Sequence, residues 1–314
     1  MSYKELYDKL YRNRDLIVAP KCTVHPWLAL IYRHQYNSDY CKSVFFAWKS
    51  TNSKPAIIPP VKWPPTDALL KEYTLDANLL IETRYFNDVT GKSLHNWTSD
   101  AISNAINNVR TRQNFKYGEI TQQLYNAMDK IDLSGKHAAV IGSTTPWVEA
   151  ILLNRGAAHV TTIEYTKIVL DPHEMRITAL QPHDVVERFD NKTQEQYDFI
   201  ASFSSVEHSG LGRYGDVLDP DGDISEMQKL WCLLKPGGKM SVGFPVGIDH
   251  IKFNAHRIYG PLRLPMMTAG FEVENIYPSL PESKENWEQP KSDNWMFDFP
   301  IETYIQPVII LKKV

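Results

Sequence analysis

From Lys136 onward the chain alternates short apolar runs with helical patterns, and this alternation restricts the fold more than any other feature. His137 to Gly142 reads as a buried strand and Trp147 to Asn154 as a helix, with Gly156 just past its end. Val160 to Tyr165 reads as a second strand, Arg176 to Leu180 as a short third, and Tyr197 to Phe203 as a fourth. Ile224 to Leu234 has helical spacing, and Lys235-Pro-Gly-Gly238 turns into a fifth strand at Lys239 to Phe244. Gly270 to Tyr277 and Pro307 to Lys312 add two more. Repeated strand–helix units of this kind predict an α/β fold with a doubly wound, mostly parallel, seven-stranded sheet.

Before Lys136 the pattern differs. Ser2 to about Asn13 reads as a helix with capping-box spacing at Ser2 and Glu5 and an apolar stripe from Tyr3 to Tyr11. His25 to Tyr32 is an apolar run of open type. Pro55 to Pro65 holds too many prolines for a helix or central strand, because proline lacks the backbone donor. Its Ile57, Ile58, Val61 and Trp63 predict an extended arm lying on a folded surface. Two helical patterns follow, one over Trp97 to Val109 and one over Ile120 to Ile131. The expected division is a helical and extended N-terminal extension, residues 1–118, and a sheet domain, residues 119–314.

A net charge of -3 argues against bulk electrostatic attraction to nucleic acid or an anionic membrane. No apolar run is long enough to span a bilayer. The three cysteines have no metal-type spacing and leave one over from any disulfide, which predicts reduced thiols and a cytoplasmic location.

In open α/β sheets, ligands bind beyond the carboxyl ends of the strands. Three loops fall there. The first, Gly142 to Pro146, has a single glycine for close backbone approach; Ser143 and Thr144 offer hydroxyls, and Thr145 with Pro146 can start the next helix. A plain strand–helix turn is the alternative. The second is Glu164, an acid closing its strand about 20 residues after Gly142, placed to accept from ribose hydroxyls. The third, Ser202 to Asp223, is the most reactive. Ser204 opens it, Glu207 and His208 form an acid–imidazole pair suited to proton transfer, and Arg213, Tyr214 and Asp216 are candidate substrate contacts. Asp216, Asp219, Asp221 and Asp223 approach the oxygen spacing of a hard-metal loop, but no bidentate Glu follows, so no metal is assigned. Asp223 is also a natural cap for the following helix. After the fifth strand come His256, a candidate base or a structural histidine, and Arg257, a candidate for forked binding of the substrate.

The phosphate loop of nucleoside triphosphatases and the G-x-G-x-x-G of dinucleotide enzymes are both absent, which favours a cofactor without phosphates, S-adenosylmethionine. The order of features, with Leu234-Lys-Pro-Gly-Gly238 and Glu207-His208 as its most distinctive pieces, resembles a class I S-adenosylmethionine-dependent methyltransferase. The segments IGSTTPWVEAILLNRGA, TTIEY, SFSSVEHSGLGRYGD and NAHRIYG are similar to a family found widely in nematodes and known as a domain of unknown function. The resemblance covers roughly Lys136 to Tyr277 and implies the Rossmann-like methyltransferase sheet. It also implies Gly142 near the methionine portion of the cofactor, Glu164 on its ribose and a residue near Asp184 close to its adenine. The opening loop departs from the usual acid-x-Gly-x-Gly pattern. The reading that results is a methyltransferase acting on an oxygen of a small polar or sugar-like acceptor. A non-catalytic scaffold on the same fold is the alternative.

Overall fold

The structure is a computed structural model that describes residues 38–55, 58–89, 94–115, 117–118, 120–277 and 304–314. The helix expected at Ser2 to Asn13 and the run at His25 to Tyr32 lie outside the described residues.

Helix α1 spans Ser38–Asn52 and α2 Asp67–Tyr73; strands β1 (Leu80–Thr83) and β2 (His95–Trp97) lead to α3 (Ser99–Arg110) and α4 (Ile120–Met128). The alternating part then runs β3 (His137–Ile141), α5 (Trp147–Asn154), β4 (His159–Ile163), β5 (Ile168–Leu170), β6 (Ile177–Leu180), α6 (Pro182–Asp190) and β7 (Tyr197–Phe203). It closes with α7 (Gly222–Leu233), β8 (Leu234–Gly243), β9 (His250–Phe253), β10 (His256–Ile258), α8 (Leu264–Met267), β11 (Phe271–Tyr277) and β12 (Val308–Lys313).

The main sheet has the order β11-β12-β8-β7-β3-β4-β6. It is mixed: the pairings from β6 through β8 are parallel, and β12 runs against both β8 and β11. The expected strand–helix alternation is therefore present on an open Rossmann-like sheet whose antiparallel element is the last strand. Side chains alternate between faces along each strand. Ala139, Ile200 and Val242 enter one core with α1, α6 and α7, while Ala138, Val140, Phe199 and Ala201 enter the other with α3, α4 and α5. Helices before residue 119 thus cover both faces of the sheet.

A second, three-stranded sheet of order β1-β9-β10 sits beside the main one, with β1 parallel to β9. Val61, in the described part of the proline-rich arm, packs on its core beside Tyr73, Ile251 and Phe253. The Trp63 ring lies 6.3 Å from Phe253, and Thr83 Oγ1 donates to the Lys62 carbonyl at 2.7 Å.

Three local expectations are corrected. Thr145 does not cap α5: Pro146 holds the cap position without a side-chain bond, and the Thr145 carbonyl accepts the Trp147 N–H at 2.8 Å. Asp223 is not a cap either. It lies within the first turn of α7, wholly buried, where the Arg263 guanidinium grips both oxygens (2.5 and 2.9 Å) and Arg257 Nε stands at 3.5 Å. Burial opposes its ionisation, yet Arg257 and Arg263 outweigh this and hold the carboxyl below its ordinary value. The cysteines are not all free: Cys41 of α1 and Cys232 of α7 form a disulfide. Their number therefore gives no support to a reducing compartment. Among the described residues no helix is long and apolar enough to cross a membrane.

Glu149 lies fully buried on α5 beneath the β3–α5 loop. Its Oε1 accepts Thr162 Oγ1 at 2.8 Å, and Ser143 Oγ stands 3.0 Å from Oε2 and 2.9 Å from the Thr145 carbonyl. The Ser143 hydroxyl has one hydrogen for those two acceptors, so a proton on Glu149 completes the set. Burial pushes this carboxyl up to about 7.

Because the folded state holds that proton more tightly than the unfolded one, Glu149 stabilises the protein below about pH 4.3, and the contribution is lost as pH rises towards 7. Glu149→Gln is expected to gain on the order of 3 kcal/mol relative to wild type between pH 4 and pH 8, measured by urea unfolding across that range. Asp223→Asn, which leaves two buried guanidinium groups short of their counter-charge, is expected to cost about 3–5 kcal/mol in the same assay at pH 7.

Candidate functional site

The carboxyl ends of β3, β4, β6 and β7 open into one cavity of about 610 Å³. Its other walls are α1, the segment around Asp88 and Val89, the loop 209–217 and the start of α7.

Gly142 is at the floor with a φ of +73°, and a Cβ there would stand 2.0 Å from Ser205 Oγ. The β3–α5 loop and the loop after β7 touch at this point, so any side chain would force them apart. This contact accounts for the single glycine in the first loop. Thr144 lines the cavity, and its carbonyl accepts the Trp97 indole N–H at 3.2 Å. Ser143 is turned away, its hydroxyl engaged with Thr145 and Glu149.

Glu164 closes β4 as a buried carboxylate on the cavity wall. Oε1 accepts the Thr166 N–H at 2.9 Å. Burial raises its pKa, partly offset by the N–H groups of Thr166 and Tyr165. Asp184 is not on that wall. It accepts the Gln181 N–H at 2.7 Å in a capping box at the start of α6, and its neighbours Gln181, Pro182 and His183 face the cavity instead.

Beyond β7, Ser204 takes a left-handed φ of +52° and its hydroxyl donates to Glu207 Oε1 at 2.9 Å. Glu207 is 1% exposed, and its Oε2 has no hydrogen-bond partner among the described residues. Burial raises its pKa against the pull of His208 and of its hydrogen bonds. The His208 Nδ1 lies 2.6 Å from the Ala255 carbonyl, an acceptor only, which places the ring proton on Nδ1. Nε2 stands 3.7 Å from Glu207 Oε1, on a ring that lines the cavity.

Tyr214 and Asp216 also line it. Burial raises the Tyr214 phenol to about 12, so it is a neutral donor at ordinary pH. Asp216 accepts the backbone N–H groups of Gly210, Gly212 and Tyr214 and so shapes the loop. Arg213 is occupied: Nε and a terminal nitrogen each meet Asp88 at 2.8 Å, and the guanidinium lies 4.3 Å from the Phe86 ring. Asp88 reaches the cavity in its place. Arg257 has no exposure and donates to the carbonyls of Ser209, Asp219 and Pro220, behind the loop. His256 is also behind it, edge-on to His208 at 6.4 Å. Burial, then the neighbouring His208, Lys252, Arg84 and Arg213, push it down to about 3, leaving a neutral ring away from the wall. Asp216 accepts loop N–H groups, Asp219 accepts the Asp221 N–H, and Asp221 and Asp223 both face Arg263; among the described residues no three potential metal ligands gather.

The sequence reading missed α1, whose Trp48 lines the cavity, and the Glu226–Lys229 pair of α7, joined at 2.6 Å. The pair could have been found from its i, i+3 spacing on a helix that starts at the site loop. Nothing in SDYCKSVFFAWKSTN announces that it folds over a cleft more than 90 residues ahead, at Gly142.

No curated protein matches the sequence. Among solved structures, NodS, an N-methyltransferase from Bradyrhizobium japonicum WM9, matches with a TM-score of 0.37 and 12% identity over 62% of this chain and 94% of its own. A candidate sarcosine dimethylglycine methyltransferase from Galdieria sulphuraria gives 0.40 and 13% over 65% and 89%. A candidate hemolysin from Streptococcus thermophilus gives 0.39 and 14% over 62% of this chain and 65% of its own. A family profile described as Caenorhabditis protein of unknown function, DUF268, matches residues 135–314. The match covers the main sheet and every loop that opens on the cavity from it, and the chain belongs to that family.

Proposed function

We propose that the protein is an S-adenosylmethionine-dependent methyltransferase acting on an oxygen of a small polar or sugar-like acceptor. The observation that carries this reading is the pairing, in one cavity, of Gly142 and Glu164 with the free Nε2 of His208. The cavity residues fit such a cofactor. Glu164 is a buried acceptor at the wall, suited to ribose hydroxyls, and Gly142 and Thr144 line the same cavity. When bound, S-adenosylmethionine would supply a methyl group on a sulfonium. The chain's own task is to align the acceptor and take its proton. His208 does so at Nε2, while the Ala255 carbonyl steadies the ring through Nδ1. Glu207 stabilises the imidazolium from 3.7 Å, and its own place is fixed by Ser204. Tyr214 lines the cavity beside His208, and α1 with the Asp88 segment excludes water. In this division of labour residues 119–314 carry the chemistry and the described part of 1–118 closes the cavity. The net charge of -3 favours a small acceptor over nucleic acid. The scaffold alternative expects side chains to fill the cleft, and about 610 Å³ of open volume argues against it.

Calorimetry with S-adenosylmethionine is the direct test. Wild type is expected to bind, and Glu164→Ala to bind about tenfold or more weakly, the loss of one to two charge-assisted hydrogen bonds. No binding by folded wild-type protein would sink the reading. His208→Ala is expected to keep cofactor affinity but lose about 10²–10⁴ in methyl transfer, followed with methyl-labelled cofactor and a panel of small hydroxylated acceptors. Unchanged transfer would remove His208 as the base.

A further inference from the structure

Helix α1 lies outside the residues matched by the family, yet it forms a wall of the cavity. Its inward stripe runs through Cys41, Val44, Phe45, Trp48 and Asn52, which share one face of the helix. Two buried donors sit on this stripe. The Trp48 side chain is 4% exposed, and its indole N–H has no hydrogen-bond partner among the described residues. One turn later the buried Asn52 Nδ2 also has none. An unmet buried donor costs about 1–3 kcal/mol, and native structures rarely tolerate two side by side without a use for them.

Both residues line the cavity, and the two N–H groups are buried at its wall. Of the two lysines that line the cavity, Lys229 is engaged at this wall: it meets Glu226 at 2.6 Å and lies 4.9 Å from the Trp48 ring centre. Ile163, Tyr165 and Pro182 complete a mainly apolar recess beside Trp48. Uncharged, flat and rich in hydrogen-bond acceptors is the ligand chemistry that suits these surfaces.

The same helix is tied down covalently. The Cys41–Cys232 disulfide joins α1 to α7, which carries Glu226 and Lys229, and so fixes two walls of one cavity against each other. Other ties include the Tyr40 ring edge-on to Trp231 at 6.0 Å, the Phe45 ring stacked on Phe189 at 3.8 Å and the exposed Lys49–Asp190 pair at 2.6 Å. An exposed pair of this kind holds little.

We infer that α1 is a ligand-binding wall, in which Trp48 and Asn52 donate to an uncharged, acceptor-bearing ring, and that the Cys41–Cys232 disulfide keeps this wall closed, so that ligand retention follows redox state. The inference rests on the methyltransferase reading only for the identity of the ligand. Opening requires a dithiol reductant. One of its thiolates attacks a cysteine sulfur and displaces the other as thiolate, and its second thiol then resolves the mixed disulfide. Two electrons and two protons pass to Cys41 and Cys232, and the reductant leaves as its own disulfide.

The test uses the full chain with Cys22→Ser, so that only the Cys41–Cys232 bond responds. S-adenosylmethionine affinity is measured by calorimetry in the oxidised protein, after dithiothreitol, and after reoxidation. Trp48→Phe, which keeps the ring and removes the donor, is measured oxidised. Hydrogen exchange of residues 38–52 is followed without ligand in both redox states. Reduction is expected to weaken binding about tenfold and to speed α1 exchange, both reversed on reoxidation, and Trp48→Phe to weaken binding about five- to tenfold, the scale of one buried hydrogen bond. Unchanged affinity in the variant and after reduction overturns the inference while leaving the methyltransferase reading intact. If oxidised protein does not bind S-adenosylmethionine, that reading fails, and the exchange data judge the latch: unchanged α1 exchange on reduction overturns it, and faster exchange upholds it.

Discussion

Asp223 and the two guanidinium groups around it are the point from which the rest of the site is hung. A buried carboxylate is costly alone, and so is a buried arginine; here Arg257 and Arg263 neutralise one acid and also donate to the carbonyls of Ser209, Asp219 and Pro220. Those carbonyls belong to the loop that follows β7. The arginines come from β10 and the turn before α8, so the pair of charges ties the site loop to the three-stranded sheet. Asp249 reinforces the turn by accepting the N–H groups of Gly260, Leu262 and Arg263. Tyr73 of α2 adds a hydrogen bond to the Gly210 carbonyl.

With that loop fixed, Ala255 is in place to orient His208, and Ser205 is in place against Gly142. The second contact links the two loops that face the cavity, and the buried Glu149 supports the first of them from below through Ser143 and Thr162. The cavity is thus built on a frame of buried polar groups, each of which loses most of its value if a partner is removed.

How much of this could be read in advance depends on the range of the interactions. Strands β3, β4, β6 and β7 and helices α5 and α7 were legible because buried strands and amphipathic helices carry their own periodicity, whereas β5 and α6 between them were not read. Gly142, Thr144, Glu164, Ser204 and His208 were legible as cavity residues because loops after parallel strands face one side. Arg213, Arg257, His256 and Asp184 have equally suitable chemistry but serve Asp88, backbone carbonyls, a buried ring contact and a helix cap. Local sequence does not distinguish an arginine that meets a ligand from one that holds a loop. Strands β1, β9 and β10 escaped notice because three or four residues are too few to show an alternation, and their pairing joins segments about 170 residues apart, Leu80 with His250.

By itself the sequence determined the α/β class, the positions of most core strands and the loops where a ligand could bind, since these follow from local patterning and from the geometry of parallel strands. Only the tertiary structure decided the rest. It turned Asp223 from a helix cap into the centre of an ion cluster, joined Cys41 to Cys232 across 191 residues, and laid α1 over the cavity. The physical reason is that a buried charge, a thiol or an unmet donor specifies only that a partner must exist. Which partner it finds is settled when distant segments pack.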